Sequence, residues 1–130
     1  MASGKVLSLG QCAADHYSIS RLLREQLGAE VVAVDTPREA LDELRRQPFA
    51  LVLVNRALNF GGSGLEFIGR LKADPALGRV PVMLVSNFED AQRQAEARGA
   101  LPGFGKSALN SPTTRERLAA VLGGEASPAG

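Results

Sequence analysis

Ala50-Leu51-Val52-Leu53-Val54 is an unbroken apolar run in the middle of the chain, closed by the polar Asn55. It does not alternate. A strand with one wet face carries a polar residue at every second position, whereas a strand covered on both faces does not. Three further runs read the same way: Val6-Leu7-Ser8-Leu9, Val31-Val32-Ala33-Val34 and Val82-Met83-Leu84-Val85. A weaker fifth, Leu101 to Phe104, is interrupted by Pro102 and Gly103. Proline donates no ladder hydrogen bond, so this strand is expected at an edge.

Helical patterns fill the intervals. Ile19, Leu22, Leu23 and Leu27 recur at helical spacing, with Arg21, Arg24 and Glu25 opposite and Gly28 as a stop. Thr36-Pro37-Arg38-Glu39 reads as a capping box, followed by Ala40, Leu41 and Leu44. Ser63-Gly64-Leu65-Glu66 reads as a second box; Leu65, Ile68 and Leu71 continue that helix and Asp74-Pro75 ends it. The fourth, about Phe88 to Arg98, has only Ala91 and Ala95 as an apolar stripe. The fifth opens at Ser111-Pro112 and carries Leu118, Val121 and Leu122. The order βαβαβαβαβα predicts an α/β fold: a doubly wound parallel sheet with helices on both faces. Residues 1–123 are expected to form one domain and 124–130 a flexible tail.

Composition narrows the function. A chain of 130 residues is expected to hold one domain and no output domain. The formal net charge is +1, which argues against a nucleic-acid footprint. One Cys and one His exclude a disulfide framework and a multi-histidine metal site. No apolar run approaches the ~20 residues of a membrane span, and no signal-peptide core opens the chain, so a cytoplasmic location is expected. In doubly wound sheets, sites form at the carboxyl ends of the strands. That singles out Gly10, Gln11, Cys12, Asp35, Asn55, Ser86, Asn87 and Lys106.

The stretch from Gly64-Leu65-Glu66-Phe67-Ile68 through Lys72-Ala73-Asp74-Pro75-Ala76-Leu77, then Val80-Pro81-Val82-Met83-Leu84-Val85-Ser86, then Gly99-Ala100 followed by Lys106, resembles a known family. It is similar to the receiver domain of two-component response regulators, flavodoxin-like (βα)5 sheets of strand order 2-1-3-4-5. The resemblance spans about Lys5 to Leu122. It implies an Asp at the end of the third strand that takes a phosphoryl group from phosphohistidine. It also implies an acidic pair after the first strand that helps hold Mg²⁺, a Lys on the phosphoryl group and a Ser or Thr that reads it. Here the acceptor position holds Asn55, and Gly10-Gln11 replace the acidic pair. Only Ser86 and Lys106 remain. The usual switch aromatic is Gly103, and the proline that usually follows the Lys is Ser107.

A neutral amide is not a nucleophile for this transfer, and hard dications want carboxylate oxygens. A degenerate pseudo-receiver is therefore expected, with no catalytic residue, no metal and no Mg²⁺ or other cofactor. The pocket charge should change from negative to positive. Lys106 is then expected to donate to Asn55 or a carbonyl. The alternative is an anion held near Lys106, Ser86 and the amides of Gly10 and Gln11.

The expected role is a phosphorylation-independent adaptor in bacterial signal transduction, acting through protein–protein contact without nucleic acid or membrane. The fourth helix, fifth strand and fifth helix form the output and dimer face in the resembling family. Here that face would include Phe88, Arg93, Phe104 and Arg115, and a homodimer is one form its contacts would take. Two alternatives stay open: a small-molecule or anion sensor around Lys106, and a conventional phosphorelay regulator with a displaced acceptor, for which only Asp35 is available. Asp15-His16 read as a helix N-terminal Asp and a surface His. Gly61-Gly62-Ser63-Gly64 read as a loop plus N-cap, and Cys12 as a small inert hydrophobe.

Overall fold

Each apolar run becomes a strand: β1 Lys5–Leu9, β2 Glu30–Val34, β3 Leu51–Asn55, β4 Val82–Val85 and β5 Leu101–Phe104. The helices are α1 Ala13–Leu27, α2 Pro37–Arg46, α3 Gly64–Ala73, α4 Glu89–Ala97 and α5 Pro112–Leu122. This computed structural model describes residues 4–58 and 62–122. Gly61 of the glycine loop and the tail expected at 124–130 lie outside the described residues. All strands are parallel, in the order β2-β1-β3-β4-β5. That is the flavodoxin-like order expected from the resemblance.

The pleat sends alternate residues to opposite faces. Leu7, Leu9, Val52, Val54 and Leu84 face one core, with Leu44 of α2, Phe67, Ile68 and Leu71 of α3, and Ala91 and Ala95 of α4. Val6, Leu51, Leu53, Met83 and Val85 face the other, under Ile19, Leu22 and Leu23 of α1 and Leu118 and Leu122 of α5. Each fully buried Leu contributes roughly 1.5–3 kcal/mol of transfer free energy. The second strand departs from its reading: Val31, Val32 and Val34 are half-buried and Ala33 is exposed. Its run looks like a central strand, but it lies at the sheet edge, where neighbours cover it incompletely.

The Thr36 capping box forms on both sides: Glu39 N–H donates to Thr36 Oγ1 and Thr36 N–H donates to Glu39 Oε1, each at 3.2 Å. The second expected box is replaced by a plain N-cap. Ser63 Oγ accepts from Leu65 N–H at 3.0 Å, one residue short of Glu66, and an antiparallel bridge between Ala57 and Ser63 holds the chain there. Gly64 is packed so tightly on the end of β3 that a Cβ would strike the Asn55 carbonyl oxygen. That contact sets α3 directly behind the strand ends.

Candidate functional site

At the carboxyl ends of β1 and β3, backbone geometry decides what stands where. Gly10 turns the chain at φ +80, and its N–H donates to Val34 O at 2.9 Å. Gln11 follows, only 9% exposed, and neither amide atom of its side chain has a hydrogen-bond partner among the described residues. Across from them, Asn55 Nδ2 donates to Gly10 O at 3.1 Å and to Ala57 O at 2.9 Å. The amide at the acceptor position thus ties the β1 turn to the loop after β3.

At the ends of β4 and β5, Ser86 is buried. Its Oγ accepts from Phe88 N–H at 3.1 Å, and its own N–H donates to Phe104 O at 3.0 Å. Asn87 Oδ1 accepts from both the N–H and the Oγ–H of Ser107, at 3.1 and 3.0 Å.

Lys106 corrects two expectations. Its ammonium sits 2.8 Å from the Asp15 carboxylate, not on Asn55 or a carbonyl. The first turn of α1 brings Asp15 across to the end of β5, so the pocket has no uncompensated lysine. Hydrogen bonding from Lys106 holds the Asp15 carboxyl below its ordinary range, against a smaller upward push from burial. Cys12 Sγ also donates to Asp15, at 3.3 Å; the thiol is exposed, not a buried hydrophobe, because it precedes α1 at the rim. His16 is half-buried and lies 3.4 Å from Ser20 Oγ.

Asn55, Arg56, Ser86, Asn87, Phe88 and Lys106 come together around a cavity of about 180 Å³. The Arg56 guanidinium lies 5.0 Å from the centre of the Phe88 ring. Lys106 also borders a larger hollow of about 460 Å³ between α1 and the segment that follows β5, with Asp15, Tyr17, Ile19, Leu22, Phe104 and Leu109. Of the residues expected on the interaction face, Phe88 is 61% exposed, and Arg93 is exposed and paired with Asp90 at 2.6 Å. Arg115 is half-buried on α5. Phe104 is corrected: it is 4% exposed, because the pleat turns it under α1 and α5. Asp35 lies at the end of the edge strand β2 and its N–H bonds Glu39 Oε1 at 3.0 Å, away from this cavity.

The chain matches no protein-family model and no curated protein sequence. Solved structures do match. A Chloroflexus aurantiacus J-10-fl chain assigned as a response regulator superposes with TM-score 0.81 at 17% identity, over 92% of this chain and 98% of that one. The signal receiver domain of a DNA-binding response regulator from Colwellia psychrerythraea 34H gives TM-score 0.78 at 20% identity, over 92% and 98%. Chemotaxis response regulator CheY4 of Vibrio cholerae gives 0.67 at 22%, over 95% and 97%. This is the receiver-domain fold. Among the described residues, no helix is long and apolar enough to cross a membrane.

The receiver fold implies a Mg²⁺ site at the ends of its first and third strands, and the residues here do not fit one. Gly10 offers a carbonyl already taken by Asn55, and Gln11 and Asn55 are neutral amides. The nearby carboxylate, Asp15, is paired with Lys106. Among the described residues, no three His, Cys, Asp or Glu side chains are grouped as a metal site would require. Hard dications take their affinity from carboxylate oxygens.

Proposed function

We propose that this chain is a pseudo-receiver: a receiver fold that works as a protein-interaction module in signal transduction without aspartyl phosphorylation, without Mg²⁺ and without enzymatic turnover. One observation carries the reading. The side chain at the acceptor position is an amide whose nitrogen is spent on Gly10 O and Ala57 O. It offers no carboxylate to attack phosphorus, and its neighbours offer no acidic pair to hold the metal that would neutralise the transferring oxygens. The residues that would read a phosphoryl group support the same view. Ser86 Oγ is engaged by Phe88 N–H in the turn before α4, and Lys106 is held by Asp15. Partners would meet the module on the face made by α4, β5 and α5, or at the rim where Phe88 and Arg56 stand. A homodimer through that face is one such contact.

Incubation with acetyl phosphate and Mg²⁺, followed by intact-mass measurement, tests the reading. The expected result is an unchanged mass. A stable gain of about 80 Da, one phosphoryl group, would overturn it.

A second reading, an anion sensor, has one observation in its favour: among the described residues, Arg56 and Lys106 both line the strand-end cavity and no carboxylate does. It predicts a saturable rise in Tm with inorganic phosphate or nucleotides that Lys106→Ala abolishes. No rise leaves the adaptor reading alone.

A further inference from the structure

We propose that Gln92 and Arg117 clamp the backbone of Gly103 from two sides and hold α4, β5 and α5 in a single arrangement, so that this edge of the molecule has no switch. The β4–β5 ladder slips along its length. Met83 pairs with Leu101 and Val85 pairs with Phe104, so β5 carries an extra residue between the two pairs. Such a bulge leaves strand polar groups without ladder partners. One side chain supplies them. Gln92 Nε2 donates to Leu84 O at 2.9 Å and to Ser86 O at 3.1 Å, with a longer contact to Phe104 O at 3.4 Å. Gln92 Oε1 accepts from Gly103 N–H at 3.2 Å. From the other side, Arg117 Nη1 donates to Gly103 O at 2.5 Å.

Both backbone polar groups of Gly103 are therefore captured by side chains of two different helices. The position tolerates no substituent: a Cβ there would overlap the Leu84 carbonyl oxygen and press on Gln92 Oε1. Asn87 and Ser107 tie the two following loops together in parallel. The small buried stripe of α4, Ala91 and Ala95, gives that helix little apolar grip of its own. Sliding α4 or swinging β5 would strip Leu84 O, Gly103 N–H and Gly103 O of partners together, and unpaired buried polar groups are costly.

The clamp stands apart from the phosphorylation question, since it describes how the face behaves whatever fills the strand-end cavity. Amide hydrogen exchange on the full chain tests it, with Gln92→Leu and Arg117→Met as separate variants. In the wild type, Gly103 is expected to exchange as slowly as the interior amides of β4. Each variant should speed exchange at Gly103 by about tenfold or more, while Val6, Leu7 and Leu53 stay protected. Arg117→Lys, which keeps a donor for the Gly103 carbonyl, should restore slow exchange. Fast exchange at Gly103 in the wild type overturns the clamp, as does acceleration of all five strands together in the variants. A phosphorylated chain whose Gly103 stays protected would overturn the adaptor reading and leave the clamp standing.

Discussion

The two halves of the strand-end rim differ from the receiver pattern implied by the resemblance in different ways. At β1 and β3 the residue types themselves differ. Gly10, Gln11 and Asn55 stand where the resemblance implies carboxylates, and Gln11 is buried without a hydrogen-bond partner among the described residues. At β4 and β5 the reading groups are kept but redirected inward. Ser86 accepts from Phe88 N–H in the turn before α4, Lys106 pairs with Asp15, and Asn87 holds Ser107. Removing a charge from a pocket needs only a neutral side chain of tolerable size. Retaining a lysine or a buried hydroxyl needs a new partner, because an unpaired buried polar group costs about 1–3 kcal/mol. On the proposed pseudo-receiver reading, the first half carries the loss of chemistry, and the second carries the structure that makes that loss tolerable.

The largest effect is expected where that second half is tightest. Gly103→Phe restores the aromatic of the resembling family but drives a Cβ onto the Leu84 carbonyl and displaces Gln92. Urea denaturation should show a loss of about 3 kcal/mol. A fully stable Gly103→Phe protein would mean that β5 is free to move and that the two halves do not differ in rigidity.

Next comes Asn55→Asp. The carboxylate loses both N–H donors and faces the Gly10 and Ala57 carbonyl oxygens instead. Stability at neutral pH should fall by about 2 kcal/mol, and the variant should still take no phosphoryl group, since no acidic pair accompanies it. A phosphorylated Asn55→Asp protein would show that a single substitution separates this rim from an active one.

Gln11→Leu should move stability the other way. It exchanges an unpartnered buried amide for an apolar group of similar volume, so denaturation should show a gain of up to about 1 kcal/mol. A clear loss would show that the Gln11 amide has a partner after all.

Asp15→Asn is the smallest. The ion pair with Lys106 is partly exposed, and such pairs contribute less than about 1 kcal/mol. The folded pKa of Asp15 lies below its ordinary value of 3.8. Its contribution is therefore present above that value and fades as pH falls through the lower folded one. Wild type and Asp15→Asn should differ in stability near neutral pH and converge in strong acid. A difference that is independent of pH would remove Asp15 from the account of Lys106.

The fold was legible because hydrophobic runs, caps and the Gly64-to-Lys106 stretch all agree locally with one topology. Thr36 and Gly28 behave as their types suggest, because caps depend on residues a few positions apart. Of the proposed site, the sequence shows only which residue types depart from the receiver pattern. That Asn55 is no nucleophile follows from its side chain alone. The partner of Lys106 does not, because Asp15 lies far away in sequence and reaches it only once α1 is laid across β1. The inward turn of Phe104, the stacking of Arg56 on Phe88 and the capture of Gly103 by Gln92 likewise depend on the pleat, on the slip in the β4–β5 register and on helix placement. The faint signal for Gln92 in the sequence is a glutamine beside the Ala91 and Ala95 stripe, ahead of a Gly-rich strand.

The most direct test of the central claim is the backbone amide NMR spectrum recorded before and after beryllofluoride and Mg²⁺ are added together. A receiver that responds to phosphorylation shows shifts running from its acceptor strand to its fifth strand. The account predicts unchanged resonances at Asn55, Ser86, Gly103 and Lys106. Saturable, coupled shifts at Asn55 and Gly103 would contradict it.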